Sequence, residues 1–447
     1  MTRTSDETIV RLAIEAALQA GASAAEGFFS RSSSTTVEVS GGKVENVKVR
    51  DGSGIGVRVL VETRLGFAHT SDLSDSAVKK TAKDAVANAQ SSAPDPYNRL
   101  PAFISADKYR TELGLAPLDE ALVSGRIGME ERIDRALSME STARAYDKRI
   151  AKVRQSSVSD AVHESYVSNS NGVGIHHRIT SCTASILAVA EANGEASQMG
   201  WDFEHSFAFK DLHVKPVGAR AAQRALELLG ARKIETATVP VILDAPVAGE
   251  FLAAVGQALM ADQVQKRKSL FAGRVGENVA NDAVTIIDDG MYERGIAPAP
   301  ADGEGVPSQK TVLIDSGTLK GFLHNAYTAA RDGVASTGNG VRSSYASLPE
   351  VGPSNFYLVP GTVTRTDLIA GCSRAYLVTD VMGMHTVDSV SGDFSVGATG
   401  LWIEDGKVKF PVRETTIAGN VRDVLLNIKA VGDDLKFYSR FGSPTIL

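Results

Sequence analysis

The stretch GSGIGVRVLVETRLGFAHTSDL, residues 52–73, decides how this chain folds, because the chain states its plan twice. A Gly-rich turn feeds an apolar strand-like run, a short polar turn follows, and a second run ends before a helix. Further along, NGVGIHHR (171–178) repeats the turn and strand, and QMGWDFEHSF (198–207) stands where RLGFAHTSDL (64–73) stood. Helical periodicity precedes each copy, over 5–20 and within 118–147. An Ala-rich helix closes each, over 74–90 and in PVGARAAQRALELLGA (216–231). TTVEVSGGKVENVKVR (35–50) reads as a hairpin turning at Gly41-Gly42, and the Pro-rich SSAPDPYNRLPAF (91–103) as a linker. We read a duplicated unit.

From residue 238 the character changes. TVPVILDAPVAGEFLAAVGQALMADQ (238–263) reads strand, turn, helix, and short strands separated by Gly, Pro and Asp follow to the end. The predicted fold class is α+β: a duplicated helix–β-meander–helix N-terminal half and a mainly antiparallel β C-terminal domain. The expected domains are 1–95, 96–235 and 236–447.

Composition narrows the function classes. A chain of 447 residues exceeds one compact core. Net charge is −6, and the one dense basic run, Lys266-Arg267-Lys268, reads as a solvated helix end, so nucleic acid is not an expected partner. No apolar run is long enough to span a bilayer, and the N-terminus reads as an amphipathic helix, not a signal peptide. Two distant cysteines, Cys182 and Cys372, fit a reducing compartment.

Motifs for self-contained catalysis are missing. HESYV (163–167) begins like a zinc-protease helix, but position 167 is Val and the segment has strand character, so His163 and Glu164 point to opposite faces. His176 and His177 diverge as strand neighbours, and His205 and His213 flank a loop. His324 and His385 with an Asp form the one metal set worth naming. There is no GxSxG elbow and no phosphate-loop lysine. GSGIG and STGNG read as turns, and the Asp pairs 288–289 and 433–434 as surface carboxylates.

One resemblance ties these pieces together. VAGEFLAAVGQAL (247–259), KRKSLFAGRVGENV (266–279), TIIDDG (285–290), GVPSQKTVLIDSGTLKGFLHNAYTAAR (305–331), STGNG (336–340), SGDFSVGATGLWIEDGKV (391–408) and PVRETTIAGNV (411–421) together resemble the TldD/PmbA, or modulator-of-gyrase, family. The resemblance implies a cytoplasmic proteolytic complex that cleaves unfolded peptides. In it a TldD-type subunit carries HExxxH and a Cys near the chain end as a zinc site, and a PmbA/TldE-type subunit keeps the fold without them. Set on this sequence, Phe251-Leu252 precedes the motif, Ala253 takes the first His, Ala254 the Glu, and Gln257 or Ala258 the second His. The terminal DDLKFYSRFGSPTIL has no Cys, and Cys372 comes too early. The chain therefore looks like the PmbA/TldE type, with no catalytic or metal residues of its own.

The resemblance implies a non-catalytic partner of a TldD-type zinc subunit, with the metal in that partner. It would help close a chamber, pre-organise the catalytic subunit and offer a strand edge to an extended peptide. Ser336, Thr337, Gly338 and Asn339, and Ser391, Gly392 and Asp393, are the expected substrate-lining residues. Two alternatives stay open: a homodimeric hydrolase with an unrecognised metal site, and a regulatory binding protein without proteolysis.

Overall fold

The structure is a computed structural model that describes residues 6–104, 118–192, 194 and 196–447. Part of the second expected unit, 105–117, lies outside them. The first unit is α1 (Asp6–Gln19), β1 (Ala24–Ser40), β2 (Lys43–Val61), β3 (Arg64–Thr70) and α2 (Asp75–Ser91). The second is α3 (Glu120–Val123), α4 (Met129–Tyr146), β4 (Ile150–Asn169), β5 (Gly174–Ala190), β6 (Gln198–Ser206) and α5 (Val214–Glu227). Local chemistry sets these bounds. Ser74 caps α2 by accepting from the Ala77 N–H. Gly41 and Gly42, at φ 63 and 73, make the two-residue left-handed turn that a tight hairpin requires.

The two units share a single six-stranded sheet, in the order β3-β2-β1-β4-β5-β6. Its seam is the antiparallel pair β1–β4, running from Glu26 opposite Asn169 to Val39 opposite Ser156. At 17 and 20 residues these strands outrun their own units. Val37 and Val39 of β1 are buried in the core of the second unit, and Tyr166 of β4 packs on the core of the first. The repeated glycines acquire a reason here. A Cβ on Gly66 would lie 2.0 Å from the Ala85 carbonyl of α2, and one on Gly200 would lie 2.2 Å from the Ala221 carbonyl of α5. Each copy needs Gly where its last strand presses on its closing helix.

The C-terminal part adds β7 (Val241–Leu243), α6 (Ala245–Ala258), α7 (Ala261–Gln265), β8 (Ile286–Asp289), β9 (Lys310–Asp315), β10 (Thr318–Leu319), α8 (Ala326–Asp332), β11 (Gly340–Val341) and β12 (Glu350–Val351). It closes with β13 (Phe356–Leu358), α9 (Arg365–Ala370), β14 (Arg374–Met382), β15 (Asp393–Glu404), β16 (Lys407–Asn420), α10 (Val421–Asn427), β17 (Lys436–Phe437) and β18 (Phe441–Ser443). The main sheets are β10-β9-β8-β13-β18-β17 and β16-β15-β14-β7. Their neighbours are antiparallel apart from β13–β18 and β14–β7. Helix α6 buries Val247, Phe251, Leu252 and Val255 in the main C-terminal core. Among the described residues no helix is long and apolar enough to cross a membrane.

Buried charge joins the halves. Arg58 of β2 donates from Nε and Nη2 to both oxygens of Glu26, at 3.0 and 2.6 Å, and from Nη1 to Glu304 at 2.8 Å. Arg342 also donates to Glu26, and Glu304 accepts from the Ala326 N–H at the start of α8. Beside this network, burial and then the Glu304 charge push Asp302 up to about 7, against backbone N–H groups that favour its ionised form. A carboxyl whose folded pKa is raised holds its proton after the unfolded chain has lost it, so stability should fall as pH rises from about 4 to about 7. The urea midpoint of the protein should drop across that window, and that of Asp302→Asn should drop less; parallel profiles would count against the assignment.

Candidate functional site

The site begins where the family motif should lie. Strand β7, paired with β14, delivers the chain to Asp244, and Pro246 pre-sets the first turn of α6. On α6 the side chains of Ala253 and Ala254 are half-buried, Gln257 is exposed and Ala258 is buried. None offers the imidazole or carboxylate that zinc requires. Strand β18 packs against the same helix. Gly256 of α6 faces Phe441 of β18, where a Cβ would lie 2.5 Å from the ring. These residues do not fit zinc, and no step of a zinc mechanism can be drawn through them.

The first turns of α6 open onto a cleft of about 590 Å³ between the two halves of the chain. One wall comes from β6 and α5, with Trp201, Asp202, Arg220 and Arg224; the other carries Asp244, Glu250 and Asp380, and Lys436 and Tyr438 also line it. Arg220 donates to Asp202 at 2.6 Å and to Glu204 at 2.9 Å. Arg365 holds Asp244 at 2.6 Å, and Lys436 donates to the Phe203 carbonyl at 2.9 Å. Burial lowers the Lys436 pKa. Glu250 and Asp380 make no ion pair within 4 Å among the described residues. Their surroundings raise both carboxyls, Glu250 first through loss of solvent and then through the Asp380 charge, Asp380 through loss of solvent against the Val381 N–H and the Arg224 charge, which favour its ionised form.

A second cavity, about 410 Å³, lies between the β4–β5 face and C-terminal loops. His163 and His177 line it, and burial lowers both, His177 to about 4. Of the expected substrate-lining residues, Gly338 and Asn339 border this cavity. The loop 336–339 is tied inward. Ser336 donates to the His324 carbonyl at 3.1 Å, Thr337 accepts from the His324 N–H at 2.7 Å, and Asn339 donates to buried Asp288 at 2.7 Å. Ser391, Gly392 and Asp393 form a separate turn, held by Asn420 donating to the Ser391 carbonyl and to Asp393, both at 2.8 Å. The two sets share no hydrogen bond, and the turn borders neither cavity.

The other candidates fall elsewhere. HESYV lies in β4, where Glu164 meets His176 at 3.0 Å and Arg31 at 3.4 Å. Asp6, Glu164 and His176 form the one trio of ligand-bearing side chains among the described residues. Arg31 also pairs with Asp6, at 3.3 Å, so this trio is an ion-pair cluster. His324 and His385 join no such trio. Burial pushes the Cys182 thiol up to about 12 and raises Cys372, which disfavours the nucleophilic thiolate in both. The Arg58 network and the Glu250–Asp380 pair went unread in the sequence. A signal existed for Arg58, the lone charge in the apolar run IGVRVLV (55–61).

Comparison with known proteins places the whole chain. Models of PmbA/TldA metallopeptidase domains match it three times: domain 1 at 25–89, the central domain at 124–229 and the C-terminal domain at 236–447. A metalloprotease PmbA homolog of Haemophilus influenzae is 30% identical over 98% of this chain and 93% of its own. A metalloprotease TldD homolog of the same organism is 30% identical over 87% of this chain and 82% of its own. The crystal structure of TldE from Thermococcus kodakarensis superposes with a TM-score of 0.88 at 25% identity, covering 98% of this chain and 97% of that one.

Proposed function

Because this chain belongs to the PmbA/TldD metallopeptidase family, we propose that it is the PmbA/TldE-type member of a two-protein zinc metalloprotease. It carries no zinc and works with a TldD-type catalytic subunit on unfolded peptides in the cytoplasm. One feature supports this reading: the resemblance sets Ala253, Ala254 and either Gln257 or Ala258 where the zinc ligands and general base would be, and none of these side chains can ligate zinc as His or Glu does. The pairing gains support from Haemophilus influenzae, which holds relatives of both types.

The sheet offers a surface suited to the role. Strand β3 pairs with β2 from Ile55 to Val61, so, among the described residues, residues 43–50 of β2 have β1 on one side and no strand on the other. Val44, Val47 and Val49 are exposed along this edge. Main-chain pairing at such an edge accepts an extended chain whatever its side chains.

The test is proteolysis of an unfolded peptide with metal analysis, on this chain alone and mixed with the HExxxH-bearing relative from its own organism. The chain alone should be free of zinc and inactive. The mixture should cleave, and a chelator should cut its rate by about 100-fold or more. Zinc and cleavage in the chain alone would overturn the reading.

A further inference from the structure

The cleft beside α6 has an imbalance that its own hydrogen bonds leave open. Its cations are engaged: Arg220 with Asp202 and Glu204, Arg365 with Asp244, and Lys436 on a backbone carbonyl. Arg224, which donates to the Trp201 carbonyl at 3.1 Å, and the Val381 N–H favour the ionised form of Asp380, but neither Asp380 nor Glu250 makes an ion pair within 4 Å among the described residues, although both line the cleft. Asp202 is fully buried in the same wall, and its Oδ1 lacks a hydrogen-bond donor, with Lys436 and Arg224 standing off at 3.8 and 3.9 Å. An aromatic surface adjoins these acids. Trp201 is 40% exposed, and its ring lies 5.9 Å from that of Tyr438.

We propose that this cleft binds a basic side chain of an extended peptide, with its charged head between Glu250 and Asp380 and its alkyl stem against Trp201. The proposal rests on the peptide substrate named above, but the site belongs wholly to this chain. Two like charges held together in a partly desolvated cleft repel one another, and a bound cation relieves that repulsion. An aromatic face adds attraction for the same cation. Calcium and magnesium suit the site less well, since they ask for six or more oxygen ligands and two carboxylates supply few. Carboxyls raised by their surroundings also give the site a pH signature: binding strengthens as pH rises and both ionise.

The experiment is calorimetric titration of the full chain with two short unstructured peptides. Both are capped at their ends and differ at one central position, lysine in one and norleucine in the other. The lysine peptide should bind about ten-fold more tightly. That gap should widen as pH rises through the carboxylate range and close in a Glu250→Gln/Asp380→Asn variant. Both side chains reach solvent, so the variant should keep the thermal midpoint of the parent. Equal affinities for the parent protein, or a gap that survives in the variant, overturn the site. So does stoichiometric binding of calcium or manganese that abolishes the gap, because the carboxylates then serve a metal. The subunit assignment fails separately: an intact gap beside an inactive mixture removes that assignment and leaves this site standing. A missing gap beside an active mixture removes the site alone.

Discussion

Arg58→Ala is expected to lower the free energy of unfolding by about 3–5 kcal/mol, the range for breaking a buried ion pair from one side. Arg58 is 5% exposed and serves three carboxylate oxygens on two residues, Glu26 and Glu304. Burial works against its charge, but the two carboxylates outweigh burial and hold the guanidinium protonated. Without it, Glu26 keeps Arg342, whereas Glu304, which is 0% exposed, keeps the Ala326 N–H as its hydrogen bond and only the charge of Arg342, which is hydrogen-bonded to Glu26. The cost comes from that poorly compensated charge. Arg58→Lys should recover little, because one ammonium cannot span the fork that a guanidinium fills. Arg58→Met with Glu304→Gln should recover most of the loss, since a neutral amide can still accept from Ala326. Urea unfolding read at both tryptophans, Trp201 in the second unit and Trp402 in the C-terminal part, would report it. A loss below about 1 kcal/mol would mean that the network relaxes toward water.

Gly200→Ala should cost about 3 kcal/mol, at the upper end of overpacking penalties. The new Cβ would lie 2.2 Å from the Ala221 carbonyl and 2.3 Å from the Ala225 nitrogen. Both are backbone atoms of α5, so no side chain can rotate away. The helix must lift, and lifting it loosens Val217, Ala221, Ala222 and Ala225, all buried against the second unit. Gly66→Ala should behave alike, with contacts of 2.0 Å to the Ala85 carbonyl and 2.5 Å to the Ala89 nitrogen. Gly52→Ala is the control: nothing lies within 4 Å of its Cβ, and its φ is not in the left-handed region. Its midpoint should match the parent. If all three variants melt together, the close strand–helix approach carries no stability.

These glycines explain why the duplication was legible. The same steric demand recurs at Gly66 and Gly200, so the same local pattern recurs around them. The helices were legible for a similar reason, since apolar spacing and caps such as Ser74 act within a few residues. The seam was not. Its strands contain SRSSSTT (30–36) and SDAVHES (159–165), polar runs without clean alternation, and neither names the other as its partner. In the C-terminal part, the helix carrying Ala253 and Ala254 was legible, because strand, turn and helix follow one another locally in 238–263. The Glu250–Asp380 pair was not, because it forms only when the end of β14 is brought to α6. The loop 336–339 and the turn 391–393 show the converse: each is a clear local motif, and nothing local says whether the two meet.

The seam also sets a timetable. Thr36 and Ser159 hydrogen-bond across it at 2.7 Å, although 123 residues separate them in the chain. At synthesis rates of 5–20 residues per second, the ribosome needs roughly 6–25 s to travel from one to the other. Through that interval a nascent β1 waits with one side bare, in reach of any other unpaired strand. The serines and threonines of SRSSSTT make the waiting strand a poor nucleus for aggregation, as gatekeeper residues do. Polarity that looks misplaced in the middle of a finished sheet suits a strand that must spend seconds at its edge.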